Sequence, residues 1–133
     1  MVAEPNYAKY GVLVIDDSPV VRAMVSRMLE QLGFGRIQAE IDGSAALAYL
    51  ETADPAPNLI VCDIGMKPMD GMKFVEALRA SPALHLSRLP VIFLTATVTD
   101  ELVQRARELN ANGYIVKPVT PEVLALRVER ALA

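Results

Sequence analysis

The stretch Gly11-Val12-Leu13-Val14-Ile15-Asp16-Asp17-Ser18-Pro19 contains the signals that decide the fold of this chain. Its first five residues include no polar side chain, which is typical of a strand covered on both faces. Ser18 and Pro19 then predict a helix start, because serine caps free backbone N–H groups and proline fits the first helical position. A periodic apolar pattern runs to Leu32, and Gly33 follows it as a stop signal. The stretch therefore predicts a strand joined to a helix by a short acidic turn.

The same alternation of strand and helix patterns occurs five times along the chain. Asp42, Thr99 and Thr120 are the predicted N-caps of the second, fourth and fifth helices. Five such units of about 20–25 residues favour right-handed crossovers and a parallel sheet with helices on both faces. The predicted fold class is therefore α/β, a three-layer sandwich of a five-stranded parallel sheet with five helices. The predicted strands are Gly11–Ile15, Arg36–Ile41, Asn58–Cys62, Pro90–Leu94 and Gly113–Val116.

Length and composition exclude several classes of protein. The 133 residues suit one domain, and 13 basic against 16 acidic residues give a net charge of −3, which argues against direct nucleic-acid binding. The apolar runs of four or five residues fall far short of the roughly 20 that a membrane span needs, so we expect no membrane contact and a cytoplasmic location. The single cysteine, Cys62, is predicted to be a core residue, and the single histidine, His85, to lie in a solvated connection.

Five polar residues are predicted to meet at the carboxyl edge of the sheet, where open parallel sheets bind their ligands. Asp16 and Asp17 follow the first strand, Asp63 the third, Thr95 the fourth and Lys117 the fifth. Each of them alone is more often a turn, strand or surface residue. Three carboxylates at one edge repel one another, however, and favour a hard divalent cation such as Mg²⁺. A carboxylate beside Mg²⁺ can also act as a nucleophile towards phosphorus.

Four motifs containing these residues resemble the receiver domain of response regulators in bacterial two-component signalling. They are Asp16-Asp17-Ser18, the run Cys62-Asp63-Ile64-Gly65-Met66-Lys67-Pro68-Met69-Asp70-Gly71, Leu94-Thr95-Ala96 and Tyr114-Ile115-Val116-Lys117-Pro118. The resemblance covers nearly the whole chain and implies a flavodoxin-like sheet with strand order 2-1-3-4-5. It also implies one receiver domain over residues 1–133, with residues 1–9 as an N-terminal extension and without an output domain.

The resemblance implies a role for each acidic residue. Asp63 would be the phosphoacceptor. Asp17 would bind Mg²⁺, or Mn²⁺ in its place, directly, and Asp16 mainly through water. Asp63 and the backbone carbonyl of Gly65 would complete the protein ligands. One departure concerns the position four residues after Asp63, where the family commonly has proline and this chain has Lys67 followed by Pro68.

The remaining site residues take their implied roles from the last two motifs. Lys117 would pair with Asp63 or its phosphoryl group, and the Thr95 hydroxyl would donate to a phosphoryl oxygen. Thr95 and Tyr114 would form a switch in which the tyrosine turns inward as the threonine moves. The peptide bond between Lys117 and Pro118 would be cis.

The function implied is that of a phosphoacceptor switch and not of an enzyme acting on metabolites. A sensor histidine kinase or a histidine phosphotransfer protein would supply the phosphoryl group. The wide apolar stripe of the first helix is expected to pack on the sheet; the alternative is that Val20 and Met24 stay partly exposed and form a docking patch for this partner. The signal would leave through the face formed by the fourth helix, fifth strand and fifth helix, towards an unidentified protein target. A receiver-like module that works without phosphorylation, and a receiver fragment of a longer regulator, stay open as alternatives.

Two other classes fit the sequence less well. An aspartyl-phosphate phosphatase would share the nucleophile, but its D-x-D motif would need an aspartate where Gly65 stands. A flavodoxin would share the fold, but Asp16 and Asp17 would repel the flavin phosphate at the first loop.

Overall fold

Five parallel strands lie close to where the sequence predicts them, in a computed structural model that describes residues 6–66 and 69–133. The strand order is β2-β1-β3-β4-β5, and each neighbouring pair is parallel. The predicted α/β class and strand order are thus confirmed. The strands are β1 (Gly11–Ile15), β2 (Arg36–Glu40), β3 (Leu59–Asp63), β4 (Val91–Thr95) and β5 (Gly113–Val116).

The described residues contain six helices, one more than the sequence predicts. The additional helix is a single turn in the connection after the third predicted helix, and it contains His85, which is exposed there. A four-residue helix is too short to show apolar periodicity, so its sequence carries no signal for it. None of the helices in this part of the chain has the length and apolar character of a membrane span. The helices are α1 (Pro19–Gln31), α2 (Gly43–Thr52), α3 (Gly71–Arg79), α4 (Leu84–Ser87), α5 (Asp100–Glu108) and α6 (Pro121–Ala131).

The helix starts are fixed by the predicted caps. Ser18 accepts a hydrogen bond from the Val21 backbone N–H, and Asp42, Thr99 and Thr120 cap α2, α5 and α6 in the same way. Asp70 caps α3 through the Lys73 N–H at 2.9 Å, a role that the sequence interpretation did not assign. The four predicted caps are confirmed, and each satisfies a backbone donor that the first helical turn leaves free.

The apolar residues form one core on each face of the sheet. Alternate residues of the buried strands point to opposite faces, so that Val12 and Val14 face α1 and α6 while Leu13 and Ile15 face α2 and α3. Cys62 is fully buried in the core on the side of α2 and α3, as predicted. Because β1, β3 and β4 are buried along their whole length, polar groups appear only where these strands end.

Two asparagines extend the sheet at its amino edge. Asn58 donates its backbone N–H to the Gly11 carbonyl at 2.8 Å and accepts the Gly11 N–H on its side-chain oxygen at 2.8 Å. Asn112 makes the same pair of bonds with Val91, at 2.8 and 3.1 Å. Each asparagine thereby ties the start of one strand to its neighbour, which fixes the register that brings the opposite strand ends together.

Candidate functional site

The carboxyl edge of the sheet brings together the polar residues predicted from the strand ends. Asp63 is the last residue of β3 and Thr95 the last of β4, whereas Asp16 and Asp17 follow β1 directly. The strand register places Asp63 beside Leu94 and Thr95 beside Val116, so Lys117 enters the same edge from β5. Parallel pairing of the central strands therefore creates the site.

Three carboxylates form an acidic cluster at this edge. One ligand oxygen from each of Asp16, Asp17 and Asp63 lies within 4.8 Å of the other two. Asp16 is fully buried and Asp63 nearly so, while Asp17 is exposed. Charges this close repel strongly in a poorly solvated site, so the cluster needs a cation to balance it.

Lys117 supplies part of that balance. Its Nζ donates to Asp16 Oδ2 and to Asp63 Oδ1, both at 3.1 Å. Burial acts to lower the pKa of Lys117, but the bonds to the two carboxylates outweigh it, and the pKa lies above its ordinary value. One ammonium still leaves an excess of negative charge among three carboxylates, which is the charge balance that a divalent cation would complete.

Asp16 has both carboxylate oxygens engaged. Oδ1 accepts the Ser18 N–H at 2.9 Å, and Oδ2 accepts from Lys117. Burial raises the pKa of Asp16 more than these two bonds lower it. Asp17 is exposed beside it. The pair thus offers one carboxylate held inside the protein and one facing solvent.

Gly65 leaves room beside the second carboxylate oxygen of Asp63. A Cβ added at Gly65 would lie 4.0 Å from Asp63 Oδ2, and among the described residues other than its two chain neighbours no atom lies closer to that position. Gly71 allows the chain to return across Asp63, because a Cβ there would lie 2.3 Å from the Asp63 carbonyl oxygen. Lys67 and Pro68, the departure noted in the sequence, lie outside the described residues.

The Thr95 hydroxyl is bonded within its own loop. It donates to the Thr97 carbonyl at 2.8 Å and accepts the Thr97 N–H at 3.2 Å. Tyr114 is half-buried and packs against the core beneath α3 and α5. The Lys117 N–H donates to the Thr95 carbonyl at 2.8 Å, and the Lys117–Pro118 peptide bond is cis.

The sequence interpretation gave no role to two residues of the site. Gly71 was quoted only as part of a motif, although its lack of a side chain permits the close approach to Asp63. Arg22, on α1, donates to the Asp16 carbonyl at 2.7 Å. A glycine directly after Asp70 and before an apolar stretch is a detectable local signal. The position of Arg22, one helical turn past the Ser18 cap, gives no such local signal, because charged residues are common on helix surfaces.

Comparisons with known proteins agree with this geometry. The family model for the response regulator receiver domain matches residues 12–129. The probable chemotaxis protein CheY of Rhizobium etli is 36% identical over 121 residues, which cover 91% of each chain. The solved structure of CheY4 from Vibrio cholerae is similar, with a TM-score of 0.84 and 33% identity over 92% of this chain and 98% of that one.

A further solved structure is a signal receiver domain of a signal transduction histidine kinase from Syntrophus aciditrophicus. Its TM-score is 0.80, at 32% identity over 92% of this chain and 89% of that chain. Similar domains thus occur both as chemotaxis proteins and within a kinase. The match of the family model to most of the chain, together with the identity to curated relatives, shows that this chain belongs to the response regulator receiver domain family.

Proposed function

We propose that this chain is a phosphoacceptor switch in which Asp63 receives a phosphoryl group from a phosphohistidine. The observation that carries the proposal is the environment of Asp63. One of its oxygens is bonded to Lys117 at 3.1 Å, and the missing side chain of Gly65 leaves room beside the other. A nucleophile held on one side, with room left for a phosphoryl group on the other, suits in-line phosphoryl transfer.

In the proposed reaction a carboxylate oxygen of Asp63 attacks phosphorus. A P–O bond forms as the bond between phosphorus and the imidazole nitrogen of the donor breaks, and the imidazole leaves. Lys117 stays beside Asp63 and neutralises charge on the phosphoryl oxygens, and its raised pKa keeps it protonated through the physiological range. The side chains of this chain thus provide the nucleophile and one of the two positive charges that the reaction needs.

The acidic cluster fits Mg²⁺ as the second positive charge, with Mn²⁺ as a substitute. Asp17 is exposed and would bind the ion directly, together with Asp63 and the Gly65 carbonyl. Asp16, buried and already bonded on both oxygens, would act through water. An oxygen-only donor set with few carboxylates suits an ion that keeps several waters. When bound, the ion would supply charge neutralisation at the phosphoryl oxygens.

We propose that phosphorylation acts on Thr95. A phosphoryl group on Asp63 would compete with the Thr97 carbonyl for the Thr95 hydroxyl, whose present bond to that carbonyl is 2.8 Å long. Release of this bond would free the exposed loop that leads to the Thr99 cap of α5, and the half-buried Tyr114 would follow the threonine inward. The phosphoryl group would thus bias a two-state equilibrium.

The target protein would bind the face formed by α5, β5 and α6, which are the fourth predicted helix, the fifth strand and the fifth predicted helix. Three apolar side chains on β5 and α6 are exposed, with fractions of 47% for Val116, 38% for Val123 and 44% for Leu126. Helix α5 begins at Asp100, three residues after Thr97. Movement of the loop that holds the contact between Thr95 and Thr97 would therefore reach that face directly.

The phosphodonor protein would dock beside α1. Val20 and Met24 are exposed by 65% and 46%. Met24 also lines an apolar groove of about 370 Å³, which extends to the loop containing Lys117 and Pro118. A partner seated in this groove would bring its phosphohistidine to the edge that holds Asp63.

Replacing Met24 by Glu tests this docking surface. We expect labelling by a phosphorylated histidine kinase to slow at least several-fold, because the charge would enter the apolar groove, and labelling by acetyl phosphate to stay unchanged. The matched control is Leu126→Glu, an equally exposed position on α6. If Met24→Glu accepts phosphoryl groups from the kinase as fast as the control, donor docking at this groove is wrong.

The proposed function is tested with acetyl phosphate and intact-mass spectrometry. With Mg²⁺ present we expect the mass of one added phosphoryl group, and with EDTA we expect none. Hydroxylamine should remove the adduct, because it cleaves acyl phosphates. If neither acetyl phosphate nor a phosphorylated kinase adds the group, the proposal fails, and a module that binds its partner without phosphorylation becomes the better explanation.

A further inference from the structure

Asp16 is held by hydrogen bonds on its backbone as well as on its side chain. Its N–H donates to the Glu40 carbonyl of β2 at 3.2 Å, and its carbonyl accepts from Arg22 Nη1 at 2.7 Å. The side-chain oxygens accept from Ser18 and Lys117. Four partners from different elements therefore fix a single buried residue at the point where β1 ends.

Arg22 is well placed to control the acidic turn. It lies on the first turns of α1, and its backbone N–H donates to the Ser18 carbonyl at 3.0 Å while its side chain reaches back to Asp16. The guanidinium thus connects α1 to Asp16, two residues before the Ser18 cap. A hydrogen bond from a charged donor to a half-buried carbonyl is stronger than a neutral one, so the contact resists rotation of the Asp16–Asp17 peptide.

We infer that Arg22 is a positioning residue of the acidic site, which holds the Asp16 carbonyl and thereby orients the Asp16 and Asp17 carboxylates for a divalent cation. The inference rests on the proposed function, since it takes that cluster to be the cation site. Residues behind metal ligands commonly set affinity in this way, and their replacement typically costs about ten- to a hundred-fold.

The sign of the change in divalent-cation affinity on replacing Arg22 distinguishes a positioning role from a purely electrostatic one. A guanidinium close to the cluster repels a second cation, so removing its charge alone would make divalent-cation binding tighter. Removing a positioning contact would make binding weaker, because Asp17 is exposed and depends on the backbone before it for its direction. The two roles of Arg22 therefore predict opposite changes in affinity.

The experiment compares Arg22→Met with Arg27→Met. The side chain of Arg27 is exposed on the same helix and makes no hydrogen bond to another described residue, so the control removes the same charge without the contact. The affinity for Mn²⁺, followed through the electron paramagnetic resonance signal of the free ion, is the readout. Thermal unfolding in EDTA measures any change in stability apart from the ion.

We expect Arg22→Met to bind Mn²⁺ about ten-fold more weakly than Arg27→Met. Equal or tighter binding by Arg22→Met overturns the inference. If Arg22→Met does not fold, Arg22→Lys replaces it, with an expected loss of a few-fold, and wild-type affinity in that variant also overturns the inference. Failure of the unmodified chain to bind Mn²⁺ or Mg²⁺ would instead contradict the proposed function.

Discussion

Replacing Asp63 by Asn is expected to abolish phosphorylation by acetyl phosphate completely. An amide oxygen is a far weaker nucleophile than a carboxylate. The exposed carboxylate of the cluster, Asp17, lacks the lysine partner that Asp63 has, because Lys117 donates to Asp16 and Asp63. Asp16 is fully buried with both oxygens bonded. Asn has nearly the same shape as Asp, so the variant should fold normally and lose only the reaction. Intact mass after incubation with acetyl phosphate and Mg²⁺ measures the result.

The control for this variant is Asp54→Asn, an exposed carboxylate in the connection between α2 and β3. It should accept one phosphoryl group at the rate of the unmodified chain. Undiminished labelling of the Asp63 variant would show that another residue is the acceptor, and the proposed mechanism would then be wrong.

Lys117→Met should have the second largest effect. Loss of the ammonium at 3.1 Å from Asp63 removes a positive charge where the transition state gains negative charge. Losing one such electrostatic donor typically slows a reaction by about 10²–10³-fold. The same change leaves three carboxylates without their lysine, so we expect Mg²⁺ to bind more tightly even as labelling by acetyl phosphate slows. Slower labelling together with tighter Mg²⁺ binding would indicate the loss of a catalytic charge, whereas a distorted site would lose both labelling and Mg²⁺ binding.

Lys73→Met, at an exposed position on α3, is the matched control and should change neither the rate nor the Mg²⁺ affinity.

Lys117→Met should also lower the free energy of unfolding without metal by about 2 kcal/mol, because Asp16 is left buried and unpaired. Since the pKa of Lys117 lies above its ordinary 10.5, this contribution is fully present below that pH and disappears as the pH rises through the folded value. An unchanged rate of labelling would contradict the role given to Lys117.

Much of the fold could be predicted because its signals are local. The caps at Ser18, Asp42, Thr99 and Thr120 lie within three residues of the N–H groups that they accept. The buried strands are continuous apolar runs, and topology alone then places their polar ends at one edge. The assembly of Asp16, Asp63 and Lys117, which are up to 101 residues apart, follows from that rule.

The features that the sequence did not predict depend on contacts between distant segments. Arg79 donates to the carbonyls of Ser87, Leu89, Leu109 and Asn110, at 2.7 to 3.2 Å. It thereby ties the segment between α4 and β4 to the connection between α5 and β5. An arginine near a helix end gives no sign of such partners. Asn58 was predicted as the first residue of a strand, whereas its side chain bonds the Gly11 backbone.

The N-terminal extension shows the same limit. Tyr7 lies in the predicted N-terminal extension, where it is buried and stacks on Phe34 with ring centres 4.8 Å apart. Gly35 makes room for the segment, because a Cβ there would lie 1.9 Å from the Ala8 carbonyl oxygen. Gly33-Phe34-Gly35 carries no local pattern for this contact, since the matching segment lies before β1.

Chemical trapping of the phosphoryl group locates the acceptor most directly. After treatment with acetyl phosphate and Mg²⁺, borohydride reduces an acyl phosphate to an alcohol, which converts the modified aspartate into homoserine. Peptide mass spectrometry then identifies the position. We expect homoserine in place of Asp63 and in place of no other aspartate, and only when Mg²⁺ was present. Homoserine at Asp16, Asp17 or another position, without conversion of Asp63, would contradict Asp63 as the phosphoacceptor.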